Sequence, residues 1–197
     1  MRVSKIATSI IIVFTTSLFS QEINPLDYYP LREGKIWKYN GKFRNKKGLE
    51  KKYNYTVEVQ GAEAVNGGIS FTLFRSSYGS GPNDEPEQID YVHRNIIDTT
   101  CSISILRDHM KEGDSWRSLS KTGVMQGKVT ILRFNYTENI RGKFFKDCIK
   151  ILIENHVYGF CEVIIFSKNI GPIKRERFQT LDDYKNSKPF SSDLIQF

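Results

Sequence analysis

The chain alternates apolar and polar residues with a period of two, stretch after stretch, and hardly ever with the period of a helix. Tyr53, Tyr55, Val57 and Val59 fall on one side of an extended chain, and Asn54, Thr56, Glu58 and Gln60 on the other. Successive side chains of a strand point to opposite faces, so this pattern buries one face and wets the other. Ile69, Phe71 and Leu73 repeat it, as do Cys101, Ile103 and Ile105, and again Ile149, Ile151 and Ile153. Val163 to Phe166 is apolar on both faces, which predicts a central strand or one covered on both sides. No segment carries three helical turns of apolar residues at i, i+3, i+4 and i+7. The expected fold is mainly β.

Turn residues separate these runs at Asn40-Gly41, Asn66-Gly67, Gly113-Asp114, Gly142, Gly159 and Gly171-Pro172, a spacing that suits successive antiparallel strands. The densest basic group, Lys42, Arg44, Lys46, Lys47, Lys51 and Lys52, surrounds Gly48 and reads as a solvated hairpin tip. Ser76 to Glu87 contains two glycines and two prolines among acids, and reads as a long surface loop.

Both tryptophans sit in one short pattern used twice. Glu33-Gly34-Lys35-Ile36-Trp37-Lys38 is echoed by Glu112-Gly113-Asp114-Ser115-Trp116-Arg117, and Asn54-Tyr55-Thr56 by Asn135-Tyr136-Thr137. Order and spacing point to an internal duplication, with pseudo-repeats at about 31–107 and 110–180 forming two halves of one sheet. Each half alone would hold a thin core, so 21–197 is expected to be a single β domain.

Residues 1–20 open with Arg2 and Lys5, continue uncharged from Ile6 to Phe19, and reach Ser20 before the polar chain. A basic start, a short apolar run and a small residue match a cleaved export signal; the run is too short and too rich in Ser and Thr for a spanning helix. With no Cys before Cys101, the expected product is periplasmic or extracellular and not lipid-anchored, without a transmembrane span in the mature chain. Cleavage lowers the net charge from +7 to +5, 27 basic against 22 acidic residues. That modest balance, spread along an exported chain, argues against a nucleic-acid partner. Cys101, Cys148 and Cys161 cannot all pair within one chain, and the pattern leaves open which, if any, do.

At Asp27-Tyr28-Tyr29-Pro30-Leu31-Arg32-Glu33-Gly34-Lys35-Ile36-Trp37 the sequence resembles the mature start of a broad family of secreted proteins and lipoproteins of unknown function, frequent in Bacteroidota, with Y-[YF]-P-L-x-x-G-x-x-W near the N-terminus. Gly142-Lys143-Phe144-Phe145-Lys146-Asp147-Cys148-Ile149-Lys150-Ile151 and Ile170-Gly171-Pro172-Ile173-Lys174-Arg175-Glu176 are similar to two later segments of that family. The resemblance implies a single antiparallel, strongly curved sheet, a half-barrel or open barrel like the periplasmic lipoprotein carriers. It implies no chemistry. The lipobox Cys common in the family is missing here.

Catalytic and metal patterns are lacking in the sequence. His93, His109 and His156 form no H-x-x-x-H or H-E-x-x-H pair, the cysteines no C-x-x-C, and Gly79-Ser80-Gly81 is no nucleophile elbow. The chain is therefore read as a non-enzyme with no cofactor and no metal. Two functions fit an exported β-protein of this composition. One is binding of an apolar or amphipathic ligand, a lipid or lipidated segment, on the concave face of the curved sheet. Trp37, Tyr39, Tyr55, Val57 and Phe71 from the first half, with Trp116, Ile131, Ile151 and Ile165 from the second, are the expected lining. The other is a surface interaction module that docks an envelope protein or polysaccharide through the basic hairpin at Lys42 to Lys52 or the loop at Ser76 to Glu87.

Overall fold

The computed structural model describes residues 21–45, 47–78 and 86–196. The predicted export signal, Phe197 and most of the loop between Ser76 and Glu87 lie outside the described residues. In chain order the elements are β1 (Gln21–Glu22), α1 (Pro25–Tyr28), β2 (Ile36–Arg44), β3 (Glu50–Val65), β4 (Gly68–Tyr78), β5 (Glu87–Val92), β6 (Asn95–Asp98), β7 (Ile103–Leu106), β8 (His109–Met110), β9 (Ser115–Leu119), β10 (Met125–Ile140), β11 (Lys143–Asn155), β12 (Phe160–Ser167), β13 (Gly171–Phe178), α2 (Leu181–Lys185) and β14 (Ser191–Ile195).

Twelve of the strands form one antiparallel sheet, in the order β7-β6-β5-β4-β3-β2-β14-β13-β12-β11-β10-β9, that curves until it is nearly a closed barrel. The two remaining strands, β1 and β8, pair with each other. Thus β2 to β7 and β9 to β14 are two six-stranded meanders, and β14 joins them by pairing with β2 from Ser191↔Phe43 to Ile195↔Tyr39. At the opposite edge β7 meets β9 without a ladder. Trp116 Nε1 donates to the Ser104 carbonyl at 2.6 Å, and the Ser104 amide donates to Ser118 Oγ at 3.0 Å. Side chains therefore satisfy edge groups that a neighbouring strand would otherwise pair.

Most of the alternating residues of the sequence line the interior as expected; Ile69, at the β3–β4 turn, is instead exposed. Val59, Leu73, Ile96, Ile103, Val129, Ile131, Ile149, Ile151, Ile164 and Phe166 are buried in one cluster, each worth about 1.5–3 kcal/mol of transfer free energy. One end of the barrel is plugged by the segment before β2. Tyr29 packs at 5.6 Å from Trp37 and 5.7 Å from Phe166, with Ile23, Tyr28 and Leu31 buried around it; the Tyr-Tyr-Pro-Leu motif is thus a plug.

The outer face is covered in places as well. Register shifts at Ile131/Arg133, Phe134/Tyr136 and Tyr136/Glu138 bend the β10–β11 hairpin, and Asn135 takes the left-handed region at φ 51°. The far end of the hairpin packs Tyr136, Ile140, Phe145 and Cys148 with Ile165 and Ile173. Tyr184 of α2 meets Phe178 edge-on at 5.5 Å, beside buried Leu152, Cys161 and Val163. Coverage on both sides accounts for the doubly apolar run Val163 to Phe166.

Two turn assignments are corrected. Asn40-Gly41 lies inside β2, where a Cβ on Gly41 would stand 2.3 Å from the Tyr53 ring and 2.7 Å from Asp193 Oδ1; glycine is there to admit these side chains. Gly171 opens β13 at φ 107°, with the Trp37 indole lying where its Cβ would be. Cys101, Cys148 and Cys161 are free and buried.

The echo has two parts that fare differently. After both Glu-Gly turns the glycine amide and the next carbonyl close the same bonds: Gly34 N–H to Val59 O and Val59 N–H to Lys35 O, against Gly113 N–H to Ile131 O and Ile131 N–H to Asp114 O. Both glycines have positive φ, 76° and 88°, and the tryptophans face Val57 and Val129. Because the second hairpin is shorter (116 to 129 against 37 to 57), Asn135-Tyr136-Thr137 falls on the hairpin bend, far from the position of Asn54-Tyr55-Thr56.

Candidate functional site

Inside the barrel, beside Tyr29 of the plug, the apolar packing gives way to charge. Glu162 is the one charged residue of β12, and its Oε1 accepts from Arg177 Nε at 2.8 Å and lies 3.2 Å from Arg175 Nε. Arg177 faces Glu162 directly across the β12–β13 ladder, while Arg175 faces Ile164 on one side and Asp193 on the other. Arg75 Nη2 donates to Glu87 Oε1 at 2.9 Å, and its guanidinium lies 4.9 Å from the Tyr55 ring centre. Tyr53 donates to Asp193 Oδ1 at 2.7 Å in the space that Gly41 leaves. Glu162, Arg75 and Asp193 are all buried.

Burial would lift the Glu162 carboxyl, but Arg175 and Arg177 outweigh it and hold the group below the ordinary carboxylate range. Burial likewise disfavours the charged form of Arg175, yet Glu162 and Glu87 keep it a permanent cation. Burial pushes Tyr29, Tyr39 and Tyr55 far above the usual phenol range, so they stay neutral. Burial, with Asp98 beside it, pushes Cys101 up to about 12, which makes it a poor nucleophile.

Four of the nine expected lining residues, Trp37, Tyr39, Tyr55 and Val57, come together with Tyr29, Arg75, Glu87, Pro172 and Arg175 around one cavity. Its volume is about 20 Å³, room for one water. Phe71, Ile131 and Ile151 are packed into the main core. Trp116 is half-buried at the β7–β9 edge, and Ile165 lies on the other face, against the bent hairpin. The interior charges were missed by sequence reasoning, and the one available clue was Glu162 in the run Phe160 to Phe166.

Larger spaces open on the outside. A cleft of about 280 Å³ lies between the outward residues of β2 and β3 and the tip of the β10–β11 hairpin, lined by Asn40, Lys42, Lys52, Asn54, Arg141 and Ser192 among others. A second, of about 410 Å³, is lined by Lys35, Ile36, Lys38, Lys143, Ile170, Ile195 and Gln196. Gln196 on the rim of the second donates to Asn40 Oδ1 on the rim of the first at 2.6 Å, so the two are neighbours. Lys42 lies 3.6 Å from Glu50, whereas Lys38, Lys52 and Arg141 form no ion pair among the described residues. Among the described residues no group of three His, Cys, Asp or Glu side chains comes together as a metal site, and no helix is long and apolar enough to cross a membrane.

No family model and no curated protein sequence matches the chain. Two solved structures are similar in fold. One is a Bacteroides fragilis protein described as exported and as having a YmcC-like fold, at 12% identity and a TM-score of 0.47 over 83% of this chain and 94% of that one. The other is described as a lipoprotein of Parabacteroides distasonis, at 16% identity and a TM-score of 0.43 over 84% and 94%.

Proposed function

We propose that the chain is an exported, non-enzymatic envelope protein that works from its outer surface, docking an anionic polysaccharide or protein partner on the cationic face around β2 and β3. The carrying observation is the contrast between two kinds of space: the interior cavity at Trp37 and Tyr55 holds about 20 Å³, whereas the neighbouring outer clefts of about 280 and 410 Å³ are edged with lysines and Arg141. Sites for drug-sized ligands run to about 300–1,000 Å³, so an acyl chain against Trp37 and Tyr55 would require the barrel to open. Export is supported by the N-terminal pattern of residues 1–20, and the non-enzymatic reading by a sequence without a nucleophile, acid–base or metal motif.

The test is retention of the mature protein on isolated envelope material at low and high salt, with the Lys42→Gln/Lys52→Gln double variant beside it. Exposed charges are screened within about 8 Å at physiological ionic strength, so retention is expected at low salt and should fall with added salt and in the variant. Salt-independent retention, equal retention of the variant, or a stoichiometric lipid extracted from the purified protein would each overturn the proposal, the last in favour of an interior apolar ligand.

A further inference from the structure

We propose that the cleft between the outer faces of β2 and β3 and the β10–β11 tip is a binding site for an acidic polysaccharide chain; this assignment rests on the surface-docking reading and gives it a ligand. Three cations edge the cleft, Lys42, Lys52 and Arg141. Lys52 and Arg141 have no acidic partner among the described residues. The floor is not charged but amphoteric: Asn40 and Asn54 lie directly opposite one another across the ladder, and the Asn54 side chain makes no hydrogen bond among the described residues. A carboxamide donates and accepts, as a sugar hydroxyl does, and a guanidinium offers paired N–H groups to one carboxylate. Asn40 Oδ1 already accepts from Gln196, so Asn54 is the carboxamide that a polyanion without hydroxyls would leave unused.

The length of the site indicates a chain and not a single sugar. The second cleft begins where Gln196 bonds Asn40, and it presents Lys35, Lys38 and Lys143. Lys38 and Lys42 occupy the same outward side of β2, four residues and so roughly 13 Å apart. Successive anionic groups on one linear polymer can meet both.

Polygalacturonate and hyaluronate are titrated against the mature protein by calorimetry, with methyl-esterified polygalacturonate and polyglutamate as controls. Acidic polysaccharide is expected to bind, the ester at least about tenfold more weakly. Arg141→Gln should weaken binding roughly ten- to a hundredfold, the range for a hydrogen bond to a charged group, and Asn54→Leu roughly two- to tenfold, the range for one between neutral groups, each with an unchanged circular dichroism spectrum. Polyglutamate binding as tightly as the polysaccharides, or Asn54→Leu without effect, would reduce the cleft to a patch of charge and overturn the assignment. If neither polysaccharide binds while envelope retention persists and depends on Lys42 and Lys52, the assignment falls and the docking reading stands; if retention fails too, both fall.

Discussion

Replacing Glu162 by Gln keeps the shape of the side chain and removes one charge from the barrel interior. Two guanidiniums, Arg175 and Arg177, then share no carboxylate at Glu162 Oε1, where the distances are 3.2 and 2.8 Å. Glu162 is 8% exposed, so water cannot take over the role of the carboxylate. Breaking a buried ion pair by removing one partner costs about 3–5 kcal/mol. For a chain of this size each kcal/mol lowers Tm by roughly 2–4 °C, so the midpoint should drop by roughly 6–20 °C. Urea unfolding followed by circular dichroism should show a lower midpoint at an unchanged m-value.

The pH dependence identifies the charge as the cause. The folded carboxyl titrates below its unfolded value of about 4.3, so its contribution is complete above about pH 5 and disappears as pH falls through the folded value. The gap between wild type and Glu162→Gln should therefore be widest near neutral pH and should narrow in acid, where the wild-type carboxyl is neutral too. A penalty under about 1 kcal/mol, or one that does not change with pH, would refute this account of the interior.

Two further outcomes follow from the geometry. Ser118→Ala leaves the Ser104 amide without its acceptor at the β7–β9 edge, and should cost about 1–3 kcal/mol. Hydrogen exchange should show the protection loss concentrated in β7 and β9, and a uniform loss over the whole sheet would contradict a local seam. Gly41→Ala drives a Cβ into the Tyr53 ring and Asp193, whereas Gly61 has nothing within 4 Å of its Cβ position. Denaturant melts should show about 1–3 kcal/mol lost at Gly41 and almost no loss for Gly61→Ala, and equal effects would refute the packing argument.

Strands were legible in the sequence because burial on one face of a strand leaves a period-two record in adjacent residues. Charge burial leaves no such record. On β13, Arg175 and Arg177 alternate with Lys174 and Glu176, so both faces look wet, and the acid that makes the inner one tolerable sits on the neighbouring strand at Glu162. The Asn40-Gly41 pair misled for a related reason: Asn-Gly commonly marks a turn, yet the absence of a Cβ can also serve a side chain from the next strand, here Tyr53. The outer cleft was half legible. Its lysines belong to the basic hairpin that the sequence displays, but Arg141 lies some 90 residues downstream (52 to 141), and only the bulges in β10 bring it over β2.

The symmetry of the strand order bears on how such a barrel arose, and we propose that β2–β7 and β9–β14 descend from one duplicated six-stranded meander. In a closed ring of two equal halves, the first strand of each half meets the last strand of the other. Both meetings occur: β2 with β14 by a ladder, and β9 with β7 through Trp116, Ser118 and Ser104. The strands that precede each half, β1 and β8, pair with each other, as elements related by a twofold axis would. Each half begins at the same Glu-Gly turn with the same pair of backbone bonds, which chance reuse of a common turn would not also place at both junctions. The repeat boundaries then run from the two turns through β7 and through β14, so the second half extends to Ile195 and beyond the residue 180 suggested by the sequence echo. The halves differ most around the outer cleft: β3 lines it with Asn54, whereas its counterpart β10, also 16 residues long, is bent by register shifts and ends at the turn that carries Arg141.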